Sequence, residues 1–244
     1  MKKLIFPLIL FVSLSLSAQE AAYNQWQNTI VTPHYDKMQA FGEALHEHNK
    51  LYHQDAASAA SVWRVVSGPN VGKWVLSSGP HTYGSRDDLD LGAEHGAHWR
   101  NKVMPTFKKI EDGGTWRAIN DLSYIPEGAV ITKARVIIHD MTGEGSEGYR
   151  SAMKKLTEAT AKGSPATARI FLRRVGFHND NMDNVVFIGL NKWADLDGSG
   201  NSYEEVHGEG SWDLFLEEVG AAIKSSYEEH WVHIPYLSGI GGDE

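Results

Sequence analysis

The chain contains no cysteine. Disulfides are excluded, and so is a lipid anchored on a cysteine at a cleavage point. A fold without such staples must hold by its core, and 41% hydrophobic residues with 8 Trp and 9 Tyr in 244 residues suffice for that. Basic character is also scarce: 23 Lys and Arg stand against 31 Asp and Glu, a formal net charge of −8, with no basic run. No phosphate-tracking surface follows from such a balance, and nucleic acid is not an expected partner. A Gly-x-Ser-x-Gly elbow, a phosphate-cradling glycine loop and a His-Glu-x-x-His helix are all missing, which removes support for the ordinary hydrolase and nucleotide-enzyme chemistries. Long apolar runs are missing too, except at the N-terminus. There Leu4 to Leu16 follow Lys2 and Lys3 and lead into the small residues Ser17 and Ala18 before Gln19. This stretch is shorter than the ~20 residues of a membrane-spanning helix and has the pattern of a signal peptide. The expectation is residues 1–18 as a removed leader, an exported protein, periplasmic or extracellular, and no membrane span.

What is present reads as one pattern written twice. Each half opens with an amphipathic helix: Met38, Phe41, Leu45, His48 and Tyr52 fall at helical spacing in the first, and Tyr149, Met153, Leu156 and Thr160 in the second, behind Ser146 as N-cap. Two β-rich runs follow in each, Ser61–Val66 with Lys73–Ser77, and Ala168–Arg173 with Asn184–Gly189. The first pair is joined by the turn-forming Gly68-Pro69-Asn70-Val71-Gly72. A polar loop then leads to a second helix, carried by Trp99, Val103, Phe107 and Ile110 in one half and by Trp212, Phe215, Val219 and Ile223 in the other. Pro105 is expected to kink or restart the former, and Ser211 to cap the latter. Each half closes with an aromatic-led strand, Thr115–Ile119 up to Pro126, and His230–Tyr236. A leading strand, clear at Ala134–His139 and weaker around Trp26–Val31, completes βαββαβ. The expected fold class is α+β: two tandem ferredoxin-like units, residues 19–127 and 128–238, packed sheet to sheet, with a flexible tail at 239–244.

The strand Val185–Leu190 running through Asn191-Lys192-Trp193-Ala194-Asp195 into a short acidic loop, together with the Trp-led closing strands, resembles the dimeric α/β-barrel superfamily. That superfamily includes antibiotic-biosynthesis-type and haem-degrading monooxygenases. The resemblance implies an intramolecular version of the barrel with a ligand cavity in each unit for a small apolar or aromatic molecule. His48, Tyr52, His95, His98 and Trp99 are the residues it places at such a site. It also implies, as an alternative, cofactor-poor oxygenation near His48, His95, His98 or Trp99. Which cofactor would serve is unknown from the sequence, and an exported enzyme lacks cytosolic electron donors. A second alternative is a non-catalytic scaffold in the envelope or outside the cell, with a protein partner there.

Several residues admit plainer readings. Among 12 His, His46 and His48 sit two apart on a helix and point to nearly opposite sides, so they do not grip one ion. His46 and His53 are expected to share a solvent face, while His48 stands in the apolar stripe. His95 and His98 have the i, i+3 spacing of two imidazoles on one face, but no third ligand is adjacent in sequence, and no metal centre is assigned. His81, Tyr83 and Arg86 lie in the loop before that helix, at the expected mouth of the cavity. Asp195 to Asn201 resembles the start of a calcium loop, yet position twelve is Val206 rather than Glu. A turn-rich loop explains it as well. Trp63, Trp74, Trp116, Trp193 and Trp231 are candidates for an aromatic wall, and the sequence does not say which face inward.

Overall fold

The structure is a computed structural model that describes residues 25–142, 146–163, 167–176, 181–197 and 202–239. The proposed leader, Met1–Ala18, lies outside the described residues, as do 240–244. Among the described residues no helix is long and apolar enough to cross a membrane.

Strands β1 (Gln25–Pro33), β2 (Ala60–Ser67), β3 (Trp74–His81) and β4 (Phe107–Ala118) make the sheet of the first unit. The second is built from β5 (Lys133–Met141), β6 (Ala168–Arg174), β7 (Asn184–Leu190) and β8 (Ile223–His233). Within the units the orders are β4-β1-β3-β2 and β8-β5-β7-β6, antiparallel throughout. Helix α1 (Met38–Tyr52) covers the first sheet, with α2 (Tyr83–Asp87) and α3 (Gly92–His98) later in the same unit. A π-helical turn, Trp99–Val103, extends α3. Helices α4 (Ser146–Gly163), α5 (Ser202–His207) and α6 (Ser211–Ala222) belong to the second unit. The repeated βαββαβ order is thus present in both halves.

The two sheets face each other, and their edges also join. β2 pairs with β8 through Trp63↔His233 and Val65↔Trp231, and β4 pairs with β6 through Trp116↔Arg174 and Ala118↔Leu172, closing an eight-stranded barrel. Closure gives each end strand a pairing partner at its outer edge. Strand alternation then sorts the apolar side chains into three layers. Trp63, Val65, Val75, Trp116, Val136, Ile138 and Val185 point into the lumen. Phe41, Leu45, Val62, Trp74 and Phe107 pack under the first unit's helices. Tyr149, Met153, Phe171, Val186, Ile188 and Phe215 pack under the second's. The unbroken apolar run Val185–Ile188 follows from this, because β7 is covered on both faces.

Three expectations are corrected. Phe107 and Ile110 are strand residues: the helix ends at Val103, Pro105 enters a 3-10 turn at Met104–Thr106, and β4 begins directly afterwards. Their spacing of three imitates a helix face, but β4 is bulged at two places, where strict alternation fails. Gly113 and Gly114 form one bulge; a Cβ on Gly113 would lie 2.8 Å from that of Asn28, and Gly114 has φ +85°. Ile223 likewise starts β8 with no loop after α6, so the closing strand begins seven residues before His230 in Ile223–His233. The N-cap of α6 is Gly210 in the left-handed region, not Ser211, whose buried Oγ has no hydrogen-bond partner among the described residues.

The unit boundaries are also interlocked. Leu122, at the end of the first unit, packs in the second unit's core, and its carbonyl accepts from Thr157 Oγ1 at 2.7 Å. In return, the 3-10 turn Pro235–Leu237 crosses back to α1. Asn49 Nδ2 donates to the Leu237 carbonyl at 2.6 Å, His46 stacks on Tyr236 at 4.1 Å, and Leu237 joins the first unit's core. Gly239, expected in a flexible tail, is buried and donates to the Ala60 carbonyl at 2.8 Å.

Two predictions follow from this packing. Asn49→Ala leaves the buried Leu237 carbonyl without its donor and is expected to cost about 1–3 kcal/mol in chemical denaturation. His139, buried on β5 beside Tyr149 with no partner for Nδ1 among the described residues, has its pKa pushed down to about 4 by burial. It stays neutral in the fold while the unfolded chain takes up a proton near pH 6.5. Stability is unaffected by this group above that pH and falls between about 6.5 and 4, by about 3 kcal/mol in full. The urea midpoint followed against pH should show a shallower acid decline in His139→Gln than in the parent.

Candidate functional site

Two cavities lie on opposite faces of the first sheet. The barrel lumen, about 220 Å³, draws its walls from all eight strands and so belongs to both units at once, rather than one to each unit as the sequence suggested. Trp26, Trp63, Trp116 and Trp231 line it, with Ile138, Leu172, Val185 and Phe187 between them. Of the five expected wall residues, Trp74 instead packs outside the barrel against Phe41, and Trp193 packs against His230. Trp26 was missed, since its strand is the weakest in pattern.

Among the described residues, one acid reaches this mostly apolar lumen. Glu229, 2% exposed, accepts from Asn70 Nδ2 at 2.7 Å and from the Asn70 backbone N–H at 3.2 Å on one oxygen, and from Trp231 Nε1 at 2.8 Å on the other. Asn70 comes from the β2–β3 turn. That turn can approach β8 because Gly68 has φ +91° and no side chain; a Cβ there would lie 2.3 Å from the Glu228 carbonyl oxygen. A buried acid held by three donors is a fixed polar anchor in a mostly apolar wall. The sequence marked none of this, because Glu229 carries no local motif.

The second cavity, about 330 Å³, lies between the outer face of β1–β3 and the helices of the first unit. Leu45, His48, Asn49, His53, His95 and Trp99 line its helical side. All five residues singled out as a ligand site meet at this place: the His48 ring centroid lies 5.2 Å from Tyr52, 4.8 Å from His95, 5.4 Å from His98 and 5.2 Å from Trp99. Helical spacing explains the grouping. His48 and Tyr52 stand one turn apart on α1, and His95 and His98 one turn apart on α3, so the two helices present one face each. Trp99, the first residue of the π turn, lines the same space.

His53 is the residue the sequence misplaced. It does not share a face with His46, which turns to the carboxyl-terminal strap. The helix stops at Tyr52, and His53 leaves it at φ −126°, so its ring swings back to lie 5.3 Å from both His48 and His95. Burial pushes the His48 imidazole down to about 3, with further lowering by His53, His95 and His98. Burial also lowers His53, against the Ser58 carbonyl, and lowers His95 together with His53 and His98. His48, His53 and His95 are therefore uncharged at neutral pH and present nitrogen lone pairs. A flat macrocycle such as haem fits poorly here, because His48, Tyr52, His95 and His98 fill the space with rings in mutual contact.

At the rim, His81 is buried and bonds Ser78 Oγ at 2.8 Å, Arg86 reaches Gln27 Oε1 at 3.2 Å, and Tyr83 is exposed. Of the calcium-like segment, Gly198–Asn201 lie outside the described residues. Asp195 caps its own turn by accepting from the backbone N–H groups of Asn191 and Lys192.

No family model matches the chain. No curated protein matches it either. Solved structures do. A putative monooxygenase from Fusobacterium nucleatum is similar with a TM-score of 0.59 at 10% identity, over 86% of this chain and 92% of that one. A putative monooxygenase from Lactobacillus acidophilus gives 0.56 at 13% identity, over 86% and 94%. A chlorite dismutase from Candidatus Nitrospira defluvii, solved in complex with imidazole, gives 0.52 at 10% identity, over 87% and 92%. Identities this low speak for the fold alone. With its closed barrel of two βαββαβ units, the chain has the dimeric α/β-barrel fold of that superfamily, both halves being supplied by one polypeptide.

Proposed function

We propose that this protein binds a small apolar or aromatic molecule in the barrel lumen, with Glu229 and Asn70 as the polar end of the site. The observation that carries the reading is a lumen of about 220 Å³ walled by four tryptophans around one hydrogen-bonded buried acid. A cavity of ~150 Å³ lined by apolar side chains accommodates benzene, so this one suits a ligand of one or two rings. Few convergent polar groups in a mostly apolar wall are the usual make-up of a small-molecule site. The carboxylate accepts three bonds and keeps lone-pair capacity beyond them, which favours a ligand bearing a hydroxyl or N–H on its ring. An open lumen argues against a scaffold role, which calls for filled pockets and a protein partner.

A second reading, a cofactor-poor oxidoreductase, draws on the cavity of about 330 Å³ that opens beside His48, His95 and Trp99 and on the names of the structural neighbours. It predicts uptake of dioxygen by the purified protein when a hydroxyaromatic substrate is added, without a bound flavin or haem. Export remains part of the proposal on the strength of Lys2, Lys3 and the apolar run after them; mass spectrometry of the native protein should then find Gln19 at the N-terminus.

Indole and 1-naphthol titrated against the full chain test the lumen, read by tryptophan fluorescence and calorimetry. The expected result is saturable one-to-one binding. Val136→Phe, which fills the lumen from β5, should weaken it at least tenfold while far-UV circular dichroism is unchanged. Absence of saturable binding to both probes, or unchanged affinity in a folded Val136→Phe protein, overturns the reading.

A further inference from the structure

The imidazole cluster is more specific than the lumen reading needs. One ring nitrogen from each of His48, His53 and His95 lies within 4.8 Å of the other two. His53 Nε2 and His95 Nε2 are 3.4 Å apart. Two nitrogens on a tetrahedral ion with bonds of 2.0–2.1 Å stand about 3.3 Å apart, so this pair already has the spacing of one edge of such a site. We propose that His48, His53 and His95 form a three-histidine site for a late first-row divalent transition ion of the zinc and copper class, with its fourth position open to the cavity beside Trp99.

Outer hydrogen bonds support the assignment. His53 Nδ1 lies 2.6 Å from the Ser58 carbonyl, which only accepts, so Nδ1 carries the proton and Nε2 the lone pair. His48 Nδ1 faces His98 Nδ1 at 3.2 Å, and Glu47 Oε1 lies 3.7 Å beyond His98 Nε2. Glu47 favours the proton on His98 Nε2, leaving His98 Nδ1 to accept from His48 Nδ1–H, and so His48 Nε2 also carries a lone pair. The Ser58 carbonyl on His53 and the His98 ring on His48 are the kind of partner a ligating histidine requires on its other nitrogen. His98 is thus a positioning residue, and His95 needs only the tautomer with its proton on Nδ1 to complete the set. Ser58 is itself held by its backbone N–H bond to the Asp55 carbonyl at 3.0 Å, which makes the His53 anchor a built feature of the turn after α1.

The donor set selects the ion. Three neutral imidazoles, with neither thiolate nor carboxylate among the ligand atoms, suit zinc, copper or nickel and reject calcium and magnesium, which take oxygen. Three protein ligands with an open side are the arrangement of sites that admit water or a small ligand as the fourth partner. Leu45, Leu76 and Trp99 line the adjoining cavity, so the open position faces a space of limited size and mainly apolar wall.

The test uses the full chain stripped with a chelator and titrated with Zn2+ by calorimetry, and with Co2+ by visible absorption. One ion per chain is expected, with Co2+ bands of a four-coordinate nitrogen site. His53→Gln and His95→Gln, both at positions less buried than His48, should each weaken Zn2+ binding on the order of 100-fold or more. His46→Gln, on the same helix but turned to Tyr236, should leave it unchanged. Thermal melting gives an independent readout: excess Zn2+ should raise the Tm of the parent and of His46→Gln but of neither site variant. No one-to-one binding in the parent, or equal affinity in His53→Gln and His95→Gln when both are folded, overturns the proposal. Equal loss in His46→Gln overturns it too, because binding would then reflect histidine content alone.

Discussion

The pairing of strand edges between the two units is the constraint on which the rest of this molecule depends. A ferredoxin-like sheet of order β4-β1-β3-β2 ends in two strands whose outer backbone groups lack partners. Here β2 is satisfied by β8 and β4 by β6, so neither half is complete without the other. The cost of an open edge is not only unpaired N–H and C=O groups but a template for pairing with other chains. Carrying both halves on one chain makes closure intramolecular, and the crossing segments confirm how deeply the halves are joined: Leu122 enters the second core and Leu237 the first. At one seam Arg174 lies over the Trp116 ring at 5.2 Å and reaches the Gly113 carbonyl at 3.2 Å, a contact that the bulge at Gly113 and Gly114 makes room for.

Closure creates the lumen, and the lumen obliges each strand to be apolar on its inner face while the helices oblige it to be apolar outside. The two units meet this demand differently. Beneath α4 and α6 the space is packed with Tyr149, Met153, Phe171 and Phe215. Beneath α1 the corresponding helix brings His48 and Asn49, both buried, where a core would use aliphatic side chains. Asn49 is accounted for by the Leu237 carbonyl. His48 is not needed for any such closure, and burial of an imidazole against three others is a cost that, among the described residues, the fold bears in the first unit. Departure from good packing at one of two repeated positions is how function commonly writes itself on a duplicated scaffold.

Much of the fold was legible in the residues themselves. Phe41, Leu45 and His48 define α1, and the alternation of Ala134, Val136 and Ile138 defines β5, because helix and strand periodicities differ enough to be told apart locally. Errors fell where two elements abut without a loop. Phe107 with Ile110, and Ile223 after Val219, continue a helical spacing across a boundary that Pro105 marks in one case and nothing marks in the other. Local spacing carries no information about which sheet a residue will join. The site was half legible: His48 with Tyr52 and His95 with His98 are pairs within single helices, and their spacing can be read. That the pairs face one another, and that His53 turns back to join them after α1 has ended, depends on how α1 and α3 lie on the sheet.

The sequence by itself determined the repeated βαββαβ order, the absence of disulfides, and the helical faces on which the histidines stand. All of these follow from periodicity, composition and neighbours within a few positions. Tertiary structure alone decided that Trp26, Trp63, Trp116 and Trp231 look inward while Trp74 looks out, that Glu229 meets Asn70, and that His48 on α1 and His53 after it come within 4.8 Å of His95 on α3. The reason is one of range. Those meetings join residues tens to more than a hundred positions apart, and only the register of the closed barrel and the seating of helices on it bring them within bonding distance.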